Sequence, residues 1–218
     1  MTVRVKICGI TTKPMLEAAL AVGADYIGFV FFPQSPRHIG IQQAGELIKH
    51  IPDTAKSVAL LVNPADEDVL LIKDEVKPDM LQLHGNETPE RVAEIKKLVS
   101  LPIIKAIGVS KADDINTAQP YQSITDMILF DAKPKKSDMS ALPGGNGEMF
   151  DWDILRNNTI IDNFMLSGGL NPDNVSAAIA KTSAKAVDVS SGVETQPGHK
   201  DKDLIHKFVT TAKSVQNR

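Results

Sequence analysis

The sequence predicts an α/β protein built as a single (β/α)8 (TIM) barrel. Eight short, mostly apolar runs rich in β-branched residues alternate with eight amphipathic segments along the whole chain, and no change of composition marks a linker. Strands buried on both faces of a parallel sheet read as short continuous apolar runs of this kind. The 218 residues lie near the lower limit for such a barrel, and we interpret residues 1–218 as one catalytic domain. Alternation alone leaves an open doubly wound sheet as the alternative.

The strands are placed where apolar and β-branched residues cluster between turn signals. None of these runs shows the long polar–apolar alternation of a surface strand. In chain order, strands are expected at Val3–Cys8, Tyr26–Phe31, Lys56–Val62, Met80–Leu83, Pro102–Ala106, Met127–Asp131, Phe164–Ser167 and Ala186–Val189.

The helices are placed between the strands, where apolar residues recur at helical spacing. Several begin with a polar residue followed by proline, as at Thr88 and Pro89, because proline in the first turn loses no needed hydrogen bond. In chain order, helices are expected at Pro14–Val22, Ile41–His50, Asp66–Val76, Pro89–Leu98, Lys111–Gln119, Trp152–Asn157, Pro172–Lys181 and Asp201–Ser214.

One long irregular segment, Ala132–Met149, follows the predicted sixth strand. It contains three glycines and a stretch rich in lysine and proline. Connections longer than about 12–15 residues are usually functional or disordered. The segment is therefore a candidate functional loop.

The composition excludes several classes of function. The single cysteine rules out an intrachain disulfide and, with no charged-then-apolar leader before the first strand, indicates a cytoplasmic setting. The uncharged apolar stretches are too short to span a bilayer, so no membrane partner is expected. With 24 Lys and Arg against 27 Asp and Glu, and no basic run longer than a pair, the chain lacks the charge pattern of a nucleic-acid-binding protein.

Two small-residue loops indicate an anion site. In a (β/α)8 barrel the functional groups lie at the C-terminal ends of the strands, and the recurrent phosphate site lies after strands seven and eight. The stretches "LSGGLN" and "DVSSGVE" follow those predicted strands, and small residues let backbone N–H groups approach a phosphate. Tight turns explain one glycine pair equally well, but two such loops favour a phosphorylated small-molecule ligand. The candidate residues are Gly168, Gly169, Ser190, Ser191 and Gly192.

Two candidates for proton transfer end the predicted strands one and six. Cys8 and Asp131 would then face each other across the barrel mouth, where a substrate could lose a proton to one and gain a proton from the other. Taken singly, a buried small cysteine and a capping aspartate are the simpler interpretations. A free thiol is also a poor base at neutral pH unless nearby positive charge favours the thiolate. The role of Lys6, close to Cys8 in sequence, stays open.

Two further side chains are candidates for substrate binding. Arg37 in "FFPQSPRHI" has a fork suited to a planar carboxylate, although a solvent-facing turn residue is an equal alternative. His84 in "LQLHG" ends the predicted fourth strand and has either a substrate-binding or a structural role. The five histidines and the cysteine show none of the common metal-ligand spacings, so no metal is expected.

Seven motifs occur in order along nearly the whole chain, namely "KICGIT", "GFVFFPQSPR", "LQLHG", "LFDAK", "GGNGEMFDW", "LSGGLNPDNV" and "DVSSGVETQPGHKD". Together they resemble the phosphoribosylanthranilate isomerase family of tryptophan biosynthesis. This ordered set is far more specific than any one motif.

The resemblance implies a (β/α)8 barrel that catalyses an Amadori rearrangement without cofactor or metal. By position it implies Cys8 as general base, Asp131 as general acid and Arg37 as the contact for the anthranilate carboxylate. It implies the phosphate site at Gly168–Gly169 and Ser190–Gly192. The sequence departs from the family at Asn146 and Glu148, which bears on closure of the loop after strand six. A monomer and a homodimer are both compatible with the sequence.

Other functions are less consistent with these residues. A metal-dependent pentose-phosphate epimerase needs histidine and aspartate ligands at several strand ends, where only His84 and Asp131 are available. The aminoaldose isomerase of histidine biosynthesis uses an aspartate on strand one, where this chain has Cys8. A barrel that binds phosphorylated ligands without catalysis would not need Cys8 and Asp131 beside both phosphate loops.

Overall fold

The eight main strands form a closed parallel barrel. A computed structural model describes residues 2–133, 144, 145, 147, 149–156, 161 and 163–215. The strands are β1 (Arg4–Cys8), β2 (Tyr26–Phe31), β3 (Lys56–Leu61), β4 (Met80–Leu83), β5 (Ile103–Val109), β6 (Met127–Ala132), β7 (Phe164–Leu166) and β8 (Ala186–Val189). They are hydrogen-bonded in chain order, and β8 pairs with β1. The predicted (β/α)8 barrel is therefore confirmed, and the open sheet is excluded.

Helices follow the strands, and a short hairpin lies between β8 and the last helix. The helices are α1 (Lys13–Ala21), α2 (Ile41–Ile48), α3 (Asp66–Leu71, continued by a π-helical turn over Ile72–Val76), α4 (Pro89–Val99), α5 (Asp113–Asn116), α6 (Asp153–Arg156), α7 (Val175–Thr182) and α8 (Lys202–Ser214). Short 3-10 turns cover Gln119–Tyr121 and Ser191–Val193. The antiparallel hairpin consists of β9 (Glu194–Gln196) and β10 (His199–Lys200). None of the described helices is long and apolar enough to cross a membrane.

Most predicted helices agree with the structure to within two residues at each end, but two differ by three residues at one end. The expected helix Lys111–Gln119 is split into α5 and a 3-10 turn, because Pro120 has no N–H to donate to the carbonyl group four residues earlier. The helix expected to begin at Pro172 begins at Val175 instead. The Asn171 side chain accepts hydrogen bonds from the backbone N–H groups of Asp173 and Asn174, which forms a turn ahead of the helix.

The barrel interior changes from apolar to polar along its axis. Every second residue of each strand faces inward, and a cluster that includes Tyr26, Val58, Met80, Leu129 and Met165 fills one part of the interior. Towards the C-terminal ends, the inward positions are occupied by buried polar residues, namely Lys6, Gln82, Asp131 and Asp188. The barrel therefore concentrates its buried polar groups at the end where its cavity opens.

A buried ion pair supports the loop between β4 and α4, which begins at His84. The Lys105 Nζ atom lies 2.8 Å from a Glu87 carboxylate oxygen and also donates to the Gly85 carbonyl at 2.8 Å. Glu87 in turn accepts the backbone N–H of Asn63 at 2.8 Å. Burial lowers the pKa of Lys105, while the charge of Glu87 opposes that shift. These contacts hold the backbone after β4 in one position.

Candidate active site

A cavity at the C-terminal end of the barrel brings together most of the residues selected from the sequence. Gly192 is the exception, because it does not line the cavity. A Cβ atom at position 192 would collide with the Leu170 carbonyl oxygen, so this glycine lets the loop after β8 pack directly against the loop after β7. The selected residues that do line the cavity are Cys8, Arg37, His84, Asp131, Gly168, Gly169, Ser190 and Ser191.

The Cys8 thiol is buried at the end of β1, with 4% of the residue exposed. Its neighbour on β2 is Gly28, where a Cβ atom would come within 2.9 Å of the Cys8 Sγ atom, so the glycine leaves space for the thiol. Burial raises the pKa of Cys8 above its ordinary value of 9.0, and the ammonium groups of Lys6 and Lys200 oppose this rise without cancelling it. The neutral thiol therefore predominates at neutral pH.

A buried ion pair lies beside the thiol. The Lys6 Nζ atom is 2.9 Å from the Asp188 Oδ1 atom, and the Ser167 hydroxyl donates to Asp188 Oδ2 at 3.2 Å. Burial works against the charge on Lys6, but Asp188 and Cys8 outweigh it, and the pKa of Lys6 is raised. Lys6 therefore remains a cation close to Cys8, on the same face of β1.

The two carboxylate oxygens of Asp131 have separate partners. Asp131 Oδ1 accepts the backbone N–H of Ala132 at 2.9 Å, and Asp131 Oδ2 lies 3.2 Å from His84 Nε2. A Cβ atom on Gly168 would meet the Ala132 nitrogen at 2.7 Å, so this glycine allows the loop after β7 to approach the end of β6. The carboxyl group is therefore held in one orientation at the cavity wall.

Arg37 is held by an internal carboxylate. Its Nε and Nη2 atoms donate to the two oxygens of Glu194 at 2.9 and 2.8 Å, and Lys200 Nζ lies 2.6 Å from Glu194 Oε1. Burial favours the neutral acid, but the hydrogen bonds and charges of Arg37 and Lys200 outweigh it and lower the pKa of Glu194. Nη2 also donates to Gly145, whereas Nη1 has no acceptor among the described residues. The Arg37 and Lys200 cations and the Glu194 anion together carry one net positive charge beside the cavity.

The loops after β7 and β8 present small residues to the cavity. Gly168 and Gly169 have φ values of 88° and 62°, which favour glycine. Within the described part of the chain, no acceptor is recorded for either of their backbone N–H groups. On the adjacent loop, the Ser190 hydroxyl donates to the Cys8 carbonyl at 3.0 Å, and Lys200 donates to the Ser190 carbonyl at 3.0 Å. This surface has the character of an anion site.

Several site residues were not selected from the sequence. Lys6 could have been found from strand alternation, because a residue two positions before Cys8 on a strand shares its inward face. Asp188 lies two positions before Ser190 and could have been found in the same way. Glu194 and Lys200 had no such signal, because Glu194 contacts Arg37, 157 residues away in sequence, and Lys200 contacts Glu194. Asn146 and Glu148, where the sequence departs from the family, lie outside the described residues.

The closed barrel and its cavity define the chain as a protein of the (β/α)8-barrel class, with its candidate site residues at the C-terminal ends of the strands. The family model described as N-(5'phosphoribosyl)anthranilate (PRA) isomerase matches residues 5–211. This match covers nearly the whole chain. The chain therefore belongs to the phosphoribosylanthranilate isomerase family.

Individual relatives agree with this assignment. The N-(5'-phosphoribosyl)anthranilate isomerase of Rhodopseudomonas palustris strain BisB5 is 50% identical over 216 residues, which are 99% of this chain and 98% of that protein. A solved phosphoribosylanthranilate isomerase in complex with reduced 1-(o-carboxyphenylamino)-1-deoxyribulose 5-phosphate is 38% identical, with a TM-score of 0.84 over 98% of this chain and 100% of the other. Monomers made from the dimeric enzyme of Thermotoga maritima are 38% identical, with a TM-score of 0.83 and the same coverage.

Proposed function

We propose that this chain catalyses the Amadori rearrangement of N-(5'-phosphoribosyl)anthranilate to 1-(2-carboxyphenylamino)-1-deoxyribulose 5-phosphate, a step of tryptophan biosynthesis. The observation that carries the proposal is one cavity lined by the Cys8 thiol, the Asp131 carboxyl group, Arg37 and the glycines after β7. The solved relative bound to a reduced form of that product supports the same ligand chemistry here. The reaction requires one general acid, one general base, an anion site and a place for an aryl carboxylate.

The cavity accommodates the two ends of this substrate differently. The backbone N–H groups of Gly168 and Gly169 are suited to the phosphate. The aromatic ring is suited to the apolar wall formed by Val30, Phe32, Leu60 and Val62. The Nη1 group of Arg37, which has no acceptor among the described residues, then meets the carboxylate, and the positive charge around Arg37 favours an anion there. The sugar lies between these two ends.

The first step opens the furanose ring. The Asp131 carboxyl group gives its proton to the ring oxygen, the bond between C1' and that oxygen breaks, and the nitrogen lone pair forms a protonated Schiff base. The Ala132 N–H group binds the carboxylate that remains on Asp131, and His84 Nε2 lies 3.2 Å from its Oδ2 atom. Negative charge that develops on Asp131 is therefore stabilised as it forms.

The second step removes the proton from C2'. The Cys8 thiolate takes this proton, and the C–H electron pair forms the enolamine while the iminium nitrogen becomes neutral. The raised pKa of Cys8 makes its thiolate scarce at neutral pH but also a stronger base. Tautomerisation of the enolamine then gives the ketone of the product.

Turnover of N-(5'-phosphoribosyl)anthranilate by the purified chain tests this function. We expect the anthranilate fluorescence to change as substrate is consumed, at the same rate with and without a metal chelator, because no step uses a metal or cofactor. A folded protein that binds inorganic phosphate but does not convert this substrate would contradict the proposal. It would then be a binding protein or an isomerase for another phosphosugar.

The Arg37→Ala variant is expected to have a KM about 10- to 100-fold above the wild-type value, because a hydrogen bond to a charged group contributes about 1.5–3 kcal/mol. Steady-state kinetics with N-(5'-phosphoribosyl)anthranilate measures this effect. Arg37→Lys is the companion variant, since it keeps a cation beside Glu194 but loses the planar fork. Inhibition by inorganic phosphate is the control and is expected to be the same in both variants. An unchanged KM would refute the carboxylate contact.

Location and assembly belong to the same proposal. We propose a cytoplasmic enzyme that is a monomer or a homodimer. The reference to a dimeric enzyme in a relative from Thermotoga maritima makes the homodimer a concrete alternative for this chain. Light scattering on the purified protein distinguishes the two states.

A further inference from the structure

A buried glutamine contacts His84, the neighbour of the proposed acid Asp131, and has no part in the mechanism above. Gln82 faces the barrel interior from β4, where its strand neighbours are Leu60 on β3 and Ile104 on β5, and it is fully buried. Its amide nitrogen is 2.8 Å from His84 Nδ1. Its amide oxygen is buried and has no hydrogen-bond partner among the described residues. Burial of a polar group without a hydrogen-bond partner lowers the stability of the folded protein, so such a group needs a specific explanation.

The orientation of this amide determines which nitrogen of His84 carries the proton. With the amide nitrogen towards the ring, Gln82 donates and Nδ1 must be an unprotonated acceptor, so the proton of the neutral ring is on Nε2. In this orientation the amide nitrogen has a partner, and only the amide oxygen is unpaired among the described residues. Unpaired buried N–H groups are rarer than unpaired carbonyl groups, which favours the donating orientation.

The proton on Nε2 points at Asp131. His84 Nε2 lies 3.2 Å from Asp131 Oδ2, while the Ala132 N–H binds Asp131 Oδ1. These two donors take one lone pair on each carboxyl oxygen. The acidic proton can therefore occupy only one of the remaining lone pairs, and the carboxyl group cannot rotate without losing both hydrogen bonds.

We propose that Gln82 is a positioning residue for the ring-opening step, because its amide holds His84 neutral with the proton on Nε2 and so makes His84 a donor to Asp131. The inference rests on the proposed acid role of Asp131. Without Gln82, His84 can place its proton on Nδ1 and turn a lone pair towards the carboxylate, which opposes the negative charge that forms there. Gln82 thus acts through His84 and does not touch the substrate.

The test begins with the wild-type protein. Nitrogen-15 NMR of the histidine rings, with the His84 signals assigned by their loss in His84→Ala, is expected to show the proton on Nε2 and a lone pair on Nδ1. The opposite pattern in the folded wild type would overturn the inference. This measurement is independent of the catalytic role of Asp131.

The Gln82→Met variant keeps the length of the side chain and removes the amide. We expect kcat to fall about tenfold with KM within about twofold, since an indirect donor contributes less than a direct one. In the His84→Ala background the same change is expected to have no further effect on kcat, because the amide acts only through the ring. A kcat within twofold of wild type, or an equal loss in both backgrounds, would overturn the inference. Failure of the proposed function is distinguishable, because the wild type would then not convert the substrate, and failure of the acid role would appear as full activity in Asp131→Asn.

Discussion

Replacement of Cys8 by serine is expected to lower kcat by at least about 100-fold, since a general base contributes about 10²–10⁴-fold. Serine keeps the size of the side chain, which matters because the Sγ atom is packed against Gly28. A hydroxyl group is far less acidic than a thiol and therefore provides almost no anion to remove the C2' proton. The residues that are proposed to bind the two ends of the substrate are unchanged, so KM is expected to stay within a few-fold of wild type. Steady-state turnover followed by anthranilate fluorescence measures both quantities.

The pH dependence of the wild type provides an independent check on the base. Burial raises the pKa of Cys8 above 9.0, so the active thiolate is a small fraction at neutral pH and grows with rising pH. The rate at which iodoacetamide alkylates Cys8 in the free enzyme reports this thiolate fraction, so it is expected to increase with pH through the neutral range, by about tenfold per unit well below the pKa. Cys8→Ala is the matched variant and is expected to lack this increase. A Cys8→Ala variant with near-normal kcat would exclude Cys8 as the base, and an alkylation rate that is flat from pH 6 to about pH 8 would contradict the raised pKa.

The barrel could be predicted from the sequence because its strands are buried on both faces. β2, β4 and β8 have the predicted bounds, since each is a short apolar run between clear turn residues. The β9–β10 hairpin was not predicted, because Glu194–Lys200 has no apolar alternation. Its position is held instead by contacts of the Glu194 carboxylate with Arg37 and Lys200. Such contacts depend on the closed barrel and leave no local pattern.

In the candidate site, too, some residues follow a local sequence pattern and others depend on contacts in the closed barrel. Cys8 and Asp131 could be selected because a strand end in this fold has a known location relative to the cavity. Strand alternation could place Lys6 and Asp188 on the inward face, but it could not show their ion pair, since the partners are 182 residues apart in sequence and meet where β8 closes on β1. The position of a residue at a strand end can thus be read from the sequence. The charge environment that tunes a side chain at that position requires the three-dimensional contacts.

The Asp131→Asn variant is expected to lose about 10²–10⁴-fold in kcat, because an amide cannot deliver the proton that the furanose oxygen needs. Asparagine preserves the size of the side chain and can still accept the Ala132 N–H, so the fold and the phosphate site are expected to be intact. Thermal unfolding and inhibition by inorganic phosphate check both points. Activity within tenfold of wild type would exclude Asp131 as the acid.

A deuterium label at C2' of the substrate separates the two proposed roles. In Cys8→Ser, removal of the C2' proton limits the rate, so we expect a large isotope effect on kcat. In Asp131→Asn, ring opening becomes the slow step and breaks no bond to C2', so we expect the isotope effect to fall close to unity. The opposite pattern would exchange the roles of the two residues. A large effect in both variants would mean that Asp131 also acts at the C2' step and that ring opening needs no acid from this chain.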